Sequence, residues 1–341
     1  MIKSRISNLQ KLRKSIVHND LNDNNILVNS DLLNPEIITA IDYGDAVYTS
    51  IINDLGVAGM YLPVGQPDAL AAILPFVEGY NKSFCLQKEE LELLYVSIAI
   101  RLVISLTKAA INHAEEPENK YHQISAAGAW EVLEKWYGVN ETFATYSFRK
   151  ACGFSSHMEE KEFQKWALSQ NCSLKGLFPE IDKQKIQSLD LSVESSFTGH
   201  VSDIENIDLM TYRFSQLQKQ VPKSVIAGGY LEARSFYSTD AYKVASNQGY
   251  EYRTIHLGID FWVPVHTAVA ALFDGIVFSV HNNDNEKDYG PTVILKHEYN
   301  KDKFFYTLYG HLSKDCLIKI KEGQKIKSGD IIAKTGENNE N

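Results

Sequence analysis

The chain has 341 residues, of which 44% are hydrophobic and 23% are charged, and its formal net charge is −9. This length predicts two or three domains, and the composition is ordinary for a folded soluble protein. The acidic balance argues against binding to a nucleic-acid backbone, which needs a basic face. We therefore expect no nucleic-acid partner.

The sequence gives no sign of export or of a membrane span. The first 17 residues are basic but lack an apolar run, so they do not predict a secretory signal. Residues 93–111 are apolar enough to span a bilayer, but Arg101 in their middle makes a span costly and favours a buried helix. The four cysteines form no Cys-x-x-Cys pair and are predicted to stay reduced. These features predict a cytoplasmic protein without a membrane partner.

The predicted elements change in character along the chain. Residues 26–41 predict two short strands around a polar turn, because β-branched apolar residues flank the sequence Asn-Ser-Asp-Leu-Leu-Asn-Pro. From residue 53 to about residue 137, apolar residues recur at helical spacing. From residue 226 onward, short apolar runs between turn residues predict antiparallel strands. We therefore predict a domain at 1–138, a connecting region with some structure of its own at 139–225, and a domain at 226–341.

The first candidate site is the stretch His-Asn-Asp-Leu-Asn-Asp-Asn-Asn-Ile-Leu, which begins at His18. It contains Asp20 and Asn25, and the acidic turn Ile-Asp-Tyr-Gly-Asp that follows contains Asp42. Phosphoryl transfer to a hydroxyl needs a carboxylate that takes the hydroxyl proton, and oxygens that hold magnesium against the nucleotide phosphates. The alternative is a loop whose Asn and Asp residues only cap and turn.

These motifs resemble the catalytic loop of the aminoglycoside phosphotransferase and choline kinase family, and in particular its hydroxylysine kinase branch, over residues 15–138. Asn19 stands where the family has glycine, and Tyr43 stands where it has phenylalanine. The resemblance implies the mainly helical large lobe of a protein kinase-like fold and a small amino-alcohol substrate. The roles that it implies are catalytic base for Asp20, orientation of the loop for His18, and binding of magnesium with ATP for Asn25 and Asp42.

A phosphotransferase of this kind also needs a nucleotide-holding lobe with a Gly-rich loop and a phosphate-binding lysine. Here 17 residues precede His18, and the first glycine of the sequence is Gly44. We therefore expect that this sequence carries the large lobe without the small one.

The second candidate site is the stretch Thr-Ile-His-Leu-Gly-Ile-Asp-Phe at residues 254–261. If these residues form one strand, its four apolar side chains point to one face, and His256 and Asp260 point to the other. An imidazole nitrogen and a carboxylate oxygen are good zinc ligands. Taken alone, the pair would favour a half-exposed strand with a surface histidine and aspartate.

Motifs along residues 250–337 resemble the lysostaphin/LytM-type zinc metallopeptidases: His-x-Gly-x-Asp, an Asp-Gly turn, Tyr-Gly, and Tyr-x-His-Leu. His266 stands where the family usually has glycine. The resemblance implies a small antiparallel β-sandwich (the duplicated hybrid motif), with His256 and Asp260 as zinc ligands and His311 as a catalytic histidine that helps to activate water. The family's third ligand comes from a His-x-His segment that this sequence lacks, so the third ligand is absent. The turn glycines that coincide are Gly275, Gly290, Gly323, Gly329 and Gly336.

The order of the two regions resembles large fusion proteins in which a class III aminotransferase follows as a third part. We therefore predict a multidomain α+β protein that is a fragment of a multifunctional enzyme, truncated at both ends. It would combine ATP-dependent phosphotransfer to an amino-alcohol hydroxyl with a zinc metallopeptidase-like domain. Two alternatives stay open: a zinc metalloendopeptidase that acts on cell-wall peptides, and a noncatalytic remnant or binding protein. Whether this chain is itself an active enzyme also stays open.

Overall fold

The computed structural model describes residues 2–115, 120–182, 185–235, 237, 240–285 and 288–337. The chain divides into two units. The first comprises Met1–Glu160 with Ala245–Tyr250, and the second comprises Lys161–Val244 with Glu251–Asn341. The domain boundaries predicted at residues 138 and 225 stay predictions.

In the first unit, short antiparallel strand pairs precede a set of helices. Strand β1 pairs with β4, and β2 pairs with β3 around the predicted polar turn. The predicted strand pair and the helical region that follows it are thus confirmed. The strands are β1 (Lys14–Val17), β2 (Ile26–Val28), β3 (Ile37–Ala40) and β4 (Val47–Ser50), and the helices are α1 (Ile2–Leu9), α2 (Ile52–Tyr61), α3 (Ala69–Ser83), α4 (Lys88–Glu115), α5 (Lys120–Gly138) and α6 (Glu141–Ala151).

The core of the first unit is built around α4. Its buried residues include Leu91, Leu94 and Leu102, and the helix packs against α2 and α5. Burial of each such side chain stabilises the fold by about 1.5–3 kcal/mol. Gly59 of α2 allows a close approach, because a Cβ there would lie 2.7 Å from the Ile98 side chain. By length and apolar composition α4 would suffice to cross a membrane. Its leucines lie in this core, and the absence of a membrane partner stays a prediction.

From residue 160 onward the chain is rich in strands. Sheet order is β15-β14-β13-β16 in the largest sheet and β11-β6-β5 in another, and β12 pairs with β17, β10 with β7 and β8 with β9. The helices are α7 (Glu160–Ser169), α8 (Leu174–Leu177), α9 (Val201–Ile204), α10 (Ile207–Gln220) and α11 (Asp315–Lys319). The strands are β5 (Lys185–Leu189), β6 (Ser224–Gly228), β7 (Glu232–Ala233), β8 (Lys243–Ser246), β9 (Gly249–Tyr252), β10 (Ile255–His256), β11 (Phe261–Trp262), β12 (Ala268–Ala270), β13 (Gly275–Asn283), β14 (Gly290–Asn300), β15 (Lys303–Tyr309), β16 (Lys325–Ile326) and β17 (Ile331–Lys334).

The predicted antiparallel, β-rich second region is confirmed, with one parallel exception. Strand β5, which lies in the predicted connecting region, pairs in parallel with β6. Helix α10 lies between the two strands in sequence, and its Phe214 stacks on Trp262 of β11 with ring centroids 4.5 Å apart. The predicted connecting region therefore contributes a helix and a strand to the second unit.

The continuous strand predicted at residues 254–261 is wrong. Strand β10 ends at His256, and β11 begins at Phe261. The apolar residues between and beside them, Ile255, Leu257 and Ile259, are 49%, 68% and 55% exposed, so they form no buried face. The segment breaks because its two ends pair with different strands, β10 with β7 and β11 with β6.

A buried histidine lies in the largest sheet of the second unit. His297 is 1% exposed, its Nδ1 lies 2.8 Å from the Asp274 carbonyl oxygen, and its Nε2 lies 2.7 Å from Thr307 Oγ1. Because a carbonyl can only accept, Nδ1 carries a proton, and the Thr307 hydroxyl can donate to Nε2 when the ring is neutral. A Cβ at Gly275 would lie 2.6 Å from that Nδ1 and 2.7 Å from the Lys296 carbonyl oxygen. Gly275 is thus required by close approach, whereas Gly290, Gly323 and Gly329 have positive φ, as turn glycines do.

Burial lowers the pKa of His297 below its usual value. In the unfolded chain the imidazole takes up a proton more readily, so the stability contributed by the neutral ring is fully present above about pH 6.5 and is lost as the pH falls. For one proton the slope of the unfolding free energy is at most about 1.4 kcal/mol per pH unit. Hydrogen exchange of the β13 and β14 amides between pH 7 and pH 5 measures this slope.

The matched control is His297→Asn, whose amide can still donate to the Asp274 carbonyl but does not titrate. The wild-type protein should lose stability more steeply than this variant as the pH falls. Equal slopes for the two proteins would show that His297 does not contribute to the acid sensitivity.

Candidate functional site

The loop that follows β1 is held by the carboxylate of Asp54. Oδ2 of Asp54 accepts the backbone N–H of His18 at 3.2 Å, and Oδ1 accepts the backbone N–H of Asn19 at 2.8 Å. Asp54 lies in the first turn of α2, so a helix start fixes the loop that leads to Asp20. Bonds of this kind to an ionised acceptor are among the stronger hydrogen bonds in proteins.

Asn19 takes the left-handed backbone conformation, with a φ of 66°. Arg101 of α4 donates from Nη2 to the Asn19 carbonyl oxygen at 2.9 Å and from Nη1 to its side-chain oxygen at 3.3 Å. Gly56 of α2 leaves room for the Arg101 side chain, because a Cβ at this position would lie 3.3 Å from Arg101 Cγ and 2.7 Å from Ser97 Oγ. The predicted catalytic loop therefore depends on two helices that follow it in the sequence.

The structure brings the residues of the predicted phosphotransfer site together. The Ile41 N–H bonds to the Asn25 carbonyl oxygen at 2.9 Å, so the residue after Ile41, Asp42, lies beside Asn25. The buried ring of His18 donates from Nε2 to the Ile41 carbonyl oxygen at 2.8 Å. Asn25 Nδ2 lies 2.8 Å from the Asp20 carbonyl oxygen and 3.2 Å from its carboxylate oxygen. Their roles stay predictions.

This arrangement fits a magnesium ion in its donor chemistry. The side-chain amide nitrogen of Asn25 donates to Asp20, so the amide oxygen points away from Asp20 and can serve as a metal ligand. The exposed Asp42 adds a carboxylate, and amide and carboxylate oxygens are the ligands that magnesium accepts.

The second predicted site also has its residues near one another. His256 is buried, with Nδ1 3.1 Å from the Gly229 carbonyl oxygen and Nε2 3.4 Å from Asp260 Oδ1. The Gly229 carbonyl can only accept, so Nδ1 donates to it, and Nε2 is the ring nitrogen that faces the carboxylate. In a metal-binding histidine, the ring nitrogen that does not bind the metal usually donates a hydrogen bond to an acceptor such as a main-chain carbonyl, and this bond orients the ring. His256 and Asp260 therefore fit a zinc ion as two of its ligands.

His311 lies near these two residues, in a crowded but solvent-accessible position. Its backbone is left-handed, with a φ of 53°, and its N–H bonds to the Tyr289 carbonyl oxygen at 2.7 Å. Burial of the imidazole lowers the pKa of His311, and the carboxylates of Asp260 and Asp288 oppose this shift. A neutral imidazole with a carboxylate in its field can accept a proton.

A third zinc ligand is not found where the structure describes the chain. Within that part, no three His, Cys, Asp or Glu side chains lie close enough to hold a metal ion. The absence of a third ligand stays a prediction.

Several residues that hold the two candidate sites in place were not predicted from the sequence. The sequence alone assigns no role to Asp54, and Arg101 figures in it only as an obstacle to a membrane span. Arg234, within the stretch Gly-Gly-Tyr-Leu-Glu-Ala-Arg before the zinc motif, bonds to Asp260 at 2.6 Å. A charged residue inside or beside an apolar run was the signal that could have indicated these residues, because a charge that becomes buried on folding needs a partner.

Comparison with known proteins assigns each region to a family. Residues 2–85 match the phosphotransferase enzyme family, and residues 254–341 match peptidase family M23. The chain therefore joins a kinase-like phosphotransferase region to an M23 metallopeptidase region. These families generally use magnesium with ATP and zinc, respectively. No solved structure matches the chain significantly.

Curated relatives resemble part of the chain. A hydroxylysine kinase of Danio rerio is 32% identical over 149 residues, which are 40% of this chain and 42% of that protein. Hydroxylysine kinases of Xenopus laevis and Mus musculus are 30% and 27% identical, over 40% of this chain and 38% of each relative. The chain thus spans about two fifths of the length of the curated relatives that it matches.

Asp54→Ala should loosen the loop that carries His18 and Asn19, because two backbone N–H groups lose their acceptor. Loss of the acceptor of a partly buried donor costs about 1–3 kcal/mol. Hydrogen exchange at residues 18 and 19 should speed up. Asp45→Ala removes an exposed carboxylate from the neighbouring turn and is the matched control. Unchanged exchange in Asp54→Ala would contradict this account.

Proposed function

We propose that the first unit carries the catalytic-base and magnesium-binding side of a phosphotransferase that acts on the hydroxyl of a small amino alcohol. The observation that carries this proposal is the backbone bond from Ile41 to Asn25, which brings Asp42 beside Asn25. Asp20 is fastened to the same Asn25. The arrangement joins a carboxylate that can accept a proton to two oxygen ligands for a metal.

In this proposal each residue has one role. Asp20 accepts the proton of the substrate hydroxyl at its carboxylate, while Asn25 and Asp42 supply oxygens to magnesium. His18 holds the turn that leads to Asp42, through its bond to the Ile41 carbonyl oxygen. Magnesium, when bound with ATP, neutralises charge on the phosphates.

The choice of substrate rests on the relatives. Three proteins named hydroxylysine kinase match the first part of this chain, and hydroxylysine is an amino alcohol. Both strand pairs expose apolar side chains, Ile16 and Tyr48 on β1 and β4, and Ile37 and Ile38 on β3. Exposed apolar side chains that cluster are typical of surfaces that another body covers. We propose that a nucleotide-holding lobe covers part of these strands.

Manganese, a paramagnetic stand-in for magnesium, tests the metal site. Mn²⁺ should broaden the NMR signals of the loop at residues 18–25 and of the turn at residues 41–45 before those of other residues. Asp42→Asn should abolish this broadening, because it removes the carboxylate ligand. Asp20→Asn should preserve it, because Asp20 serves as the base. Broadening that survives Asp42→Asn would contradict the proposed site.

A second function is proposed for the M23 region, a zinc-dependent peptidase-like activity. It is supported by the geometry of His256, which donates a hydrogen bond from Nδ1 to the Gly229 carbonyl oxygen and directs Nε2 toward Asp260. Zinc, when bound, acts as a Lewis acid on the scissile carbonyl. His311 would take up a proton at its imidazole, and His256 and Asp260 would hold the metal. We also propose that the intact protein is a fusion with an aminotransferase part. We further propose that it is located in the cytoplasm.

Zinc binding by this chain should be weak. Two protein ligands leave half of a tetrahedral shell to solvent, whereas complete structural zinc sites provide about 10–16 kcal/mol. Calorimetric titration should show weak binding that His256→Ala removes. His281→Ala, an exposed histidine of β13, is the matched control and should bind as the wild type does. Tight binding that is insensitive to His256→Ala would place the metal elsewhere.

A further inference from the structure

A buried arginine lies behind the proposed zinc ligand Asp260. Arg234 is 2% exposed. Its Nε donates to Glu232 Oε2 at 2.6 Å, and its Nη1 donates to Asp260 Oδ2 at 2.6 Å and to the Tyr237 hydroxyl at 3.3 Å. The guanidinium therefore occupies one oxygen of Asp260, while the other oxygen, Oδ1, faces His256 Nε2 at 3.4 Å.

The guanidinium remains charged in this position. Arginine keeps its proton in proteins, and here its guanidinium donates to both Asp260 and Glu232. Glu232 is also buried, and it accepts the Leu191 N–H at 2.8 Å. One positive charge thus lies between two carboxylates, so the group keeps one net negative charge. That charge can be offered to a cation only at Asp260, which is the more exposed carboxylate.

Two adjacent glycines make room for this arrangement. A Cβ at Gly228 would lie 2.9 Å from Arg234 Nη2 and 3.3 Å from the Trp262 ring. A Cβ at Gly229 would lie 3.3 Å from Glu232 Oε1, and the carbonyl of the same residue accepts from His256. Gly228 therefore leaves room for the Arg234 guanidinium, and the carbonyl of Gly229 orients the His256 imidazole.

We propose that Arg234 is a positioning residue that presents Asp260 to a divalent metal through a single oxygen, Oδ1, beside His256 Nε2. Glu232 cancels the charge of Arg234, so that the guanidinium orients Asp260 without repelling the metal. This inference rests on the proposed zinc function of the same site. Outer residues that orient a ligand commonly change metal affinity by about 10–100-fold.

A purely structural salt bridge would hold the fold but would not act through Asp260. The two roles differ in a double-mutant cycle on zinc affinity. If Arg234 acts through Asp260, Arg234→Met weakens zinc binding in the wild-type background and has little effect once Asp260 is replaced by Asn. If Arg234 only stabilises the fold, it has the same effect in both backgrounds.

The experiment follows the His256 ring signals by NMR during Zn²⁺ titration of the full chain, which measures weak affinities. Arg234→Met should weaken binding about 10-fold in the wild-type background and less than about twofold with Asp260→Asn, where the carboxylate it positions is gone. Glu232→Gln should weaken binding without displacing Asp260, because the charge of Arg234 is then uncancelled. Unfolding of each metal-free variant by denaturant shows whether the fold is kept.

If Arg234→Met does not fold, Arg234→Lys takes its place in the cycle. A lysine keeps the charge but cannot bridge Glu232 and Asp260 with a planar fork, so the same loss of coupling is expected. Equal effects in the two backgrounds would overturn the positioning role while leaving the zinc site intact. A wild-type chain that binds no Zn²⁺ would overturn the proposed metal function and this inference with it.

Discussion

The bonds from Asp54 to the backbone N–H groups of His18 and Asn19 are the contacts on which the proposed phosphotransfer site depends. They fasten the end of β1 to the start of α2, and Asp20 follows directly. The second site has a comparable support, since Arg234 fastens Asp260. In both sites a charged side chain outside the reacting set holds the backbone or the carboxylate that would do the chemistry, which is the usual way in which a precise site is kept rigid.

Two departures from the family patterns have a common backbone explanation. Asn19 and His266 both stand at positions where the respective families have glycine, and both have positive φ, 66° and 64°. Asn and His are enriched among the non-glycine residues that adopt this conformation. The left-handed conformation costs an L-residue about 1–2 kcal/mol, and Arg101 offsets this at Asn19 by binding both its carbonyl and its side chain. At both positions the chain thus adopts, without glycine, a conformation that glycine adopts readily.

The sequence predicted most of the elements, because helical spacing and strand alternation are local signals. It also predicted the strand pair that Asn25 and Asp42 flank, while their joint role at the first site stays a prediction. It failed at residues 254–261, where the alternation was regular but the chain changes partner from β7 to β6. Strand pairing is a property of distant residues, so a local pattern does not reveal such a change.

The supporting residues were missed for a related reason. Asp54 lies 35 positions from Asn19, Arg101 lies 82 positions from it, and Arg234 lies 26 positions from Asp260. No spacing rule joins residues so far apart. What the sequence did contain was a charge within an apolar segment, at Arg101. Such a charge requires a partner on folding, but it does not say which one.

The two histidines of the motifs differ in the nitrogen that each leaves available. His18 donates from Nε2 to the Ile41 carbonyl, and its Nδ1 is buried with no hydrogen-bond partner among the residues that the structure describes. His256 donates from Nδ1 to Gly229, and its Nε2 faces Asp260. Both rings thus bond to a main-chain carbonyl, but through opposite nitrogens. In the proposals for the two sites this difference has a consequence, because the second nitrogen of His256 is directed at the other proposed zinc ligand, whereas that of His18 is enclosed by the protein.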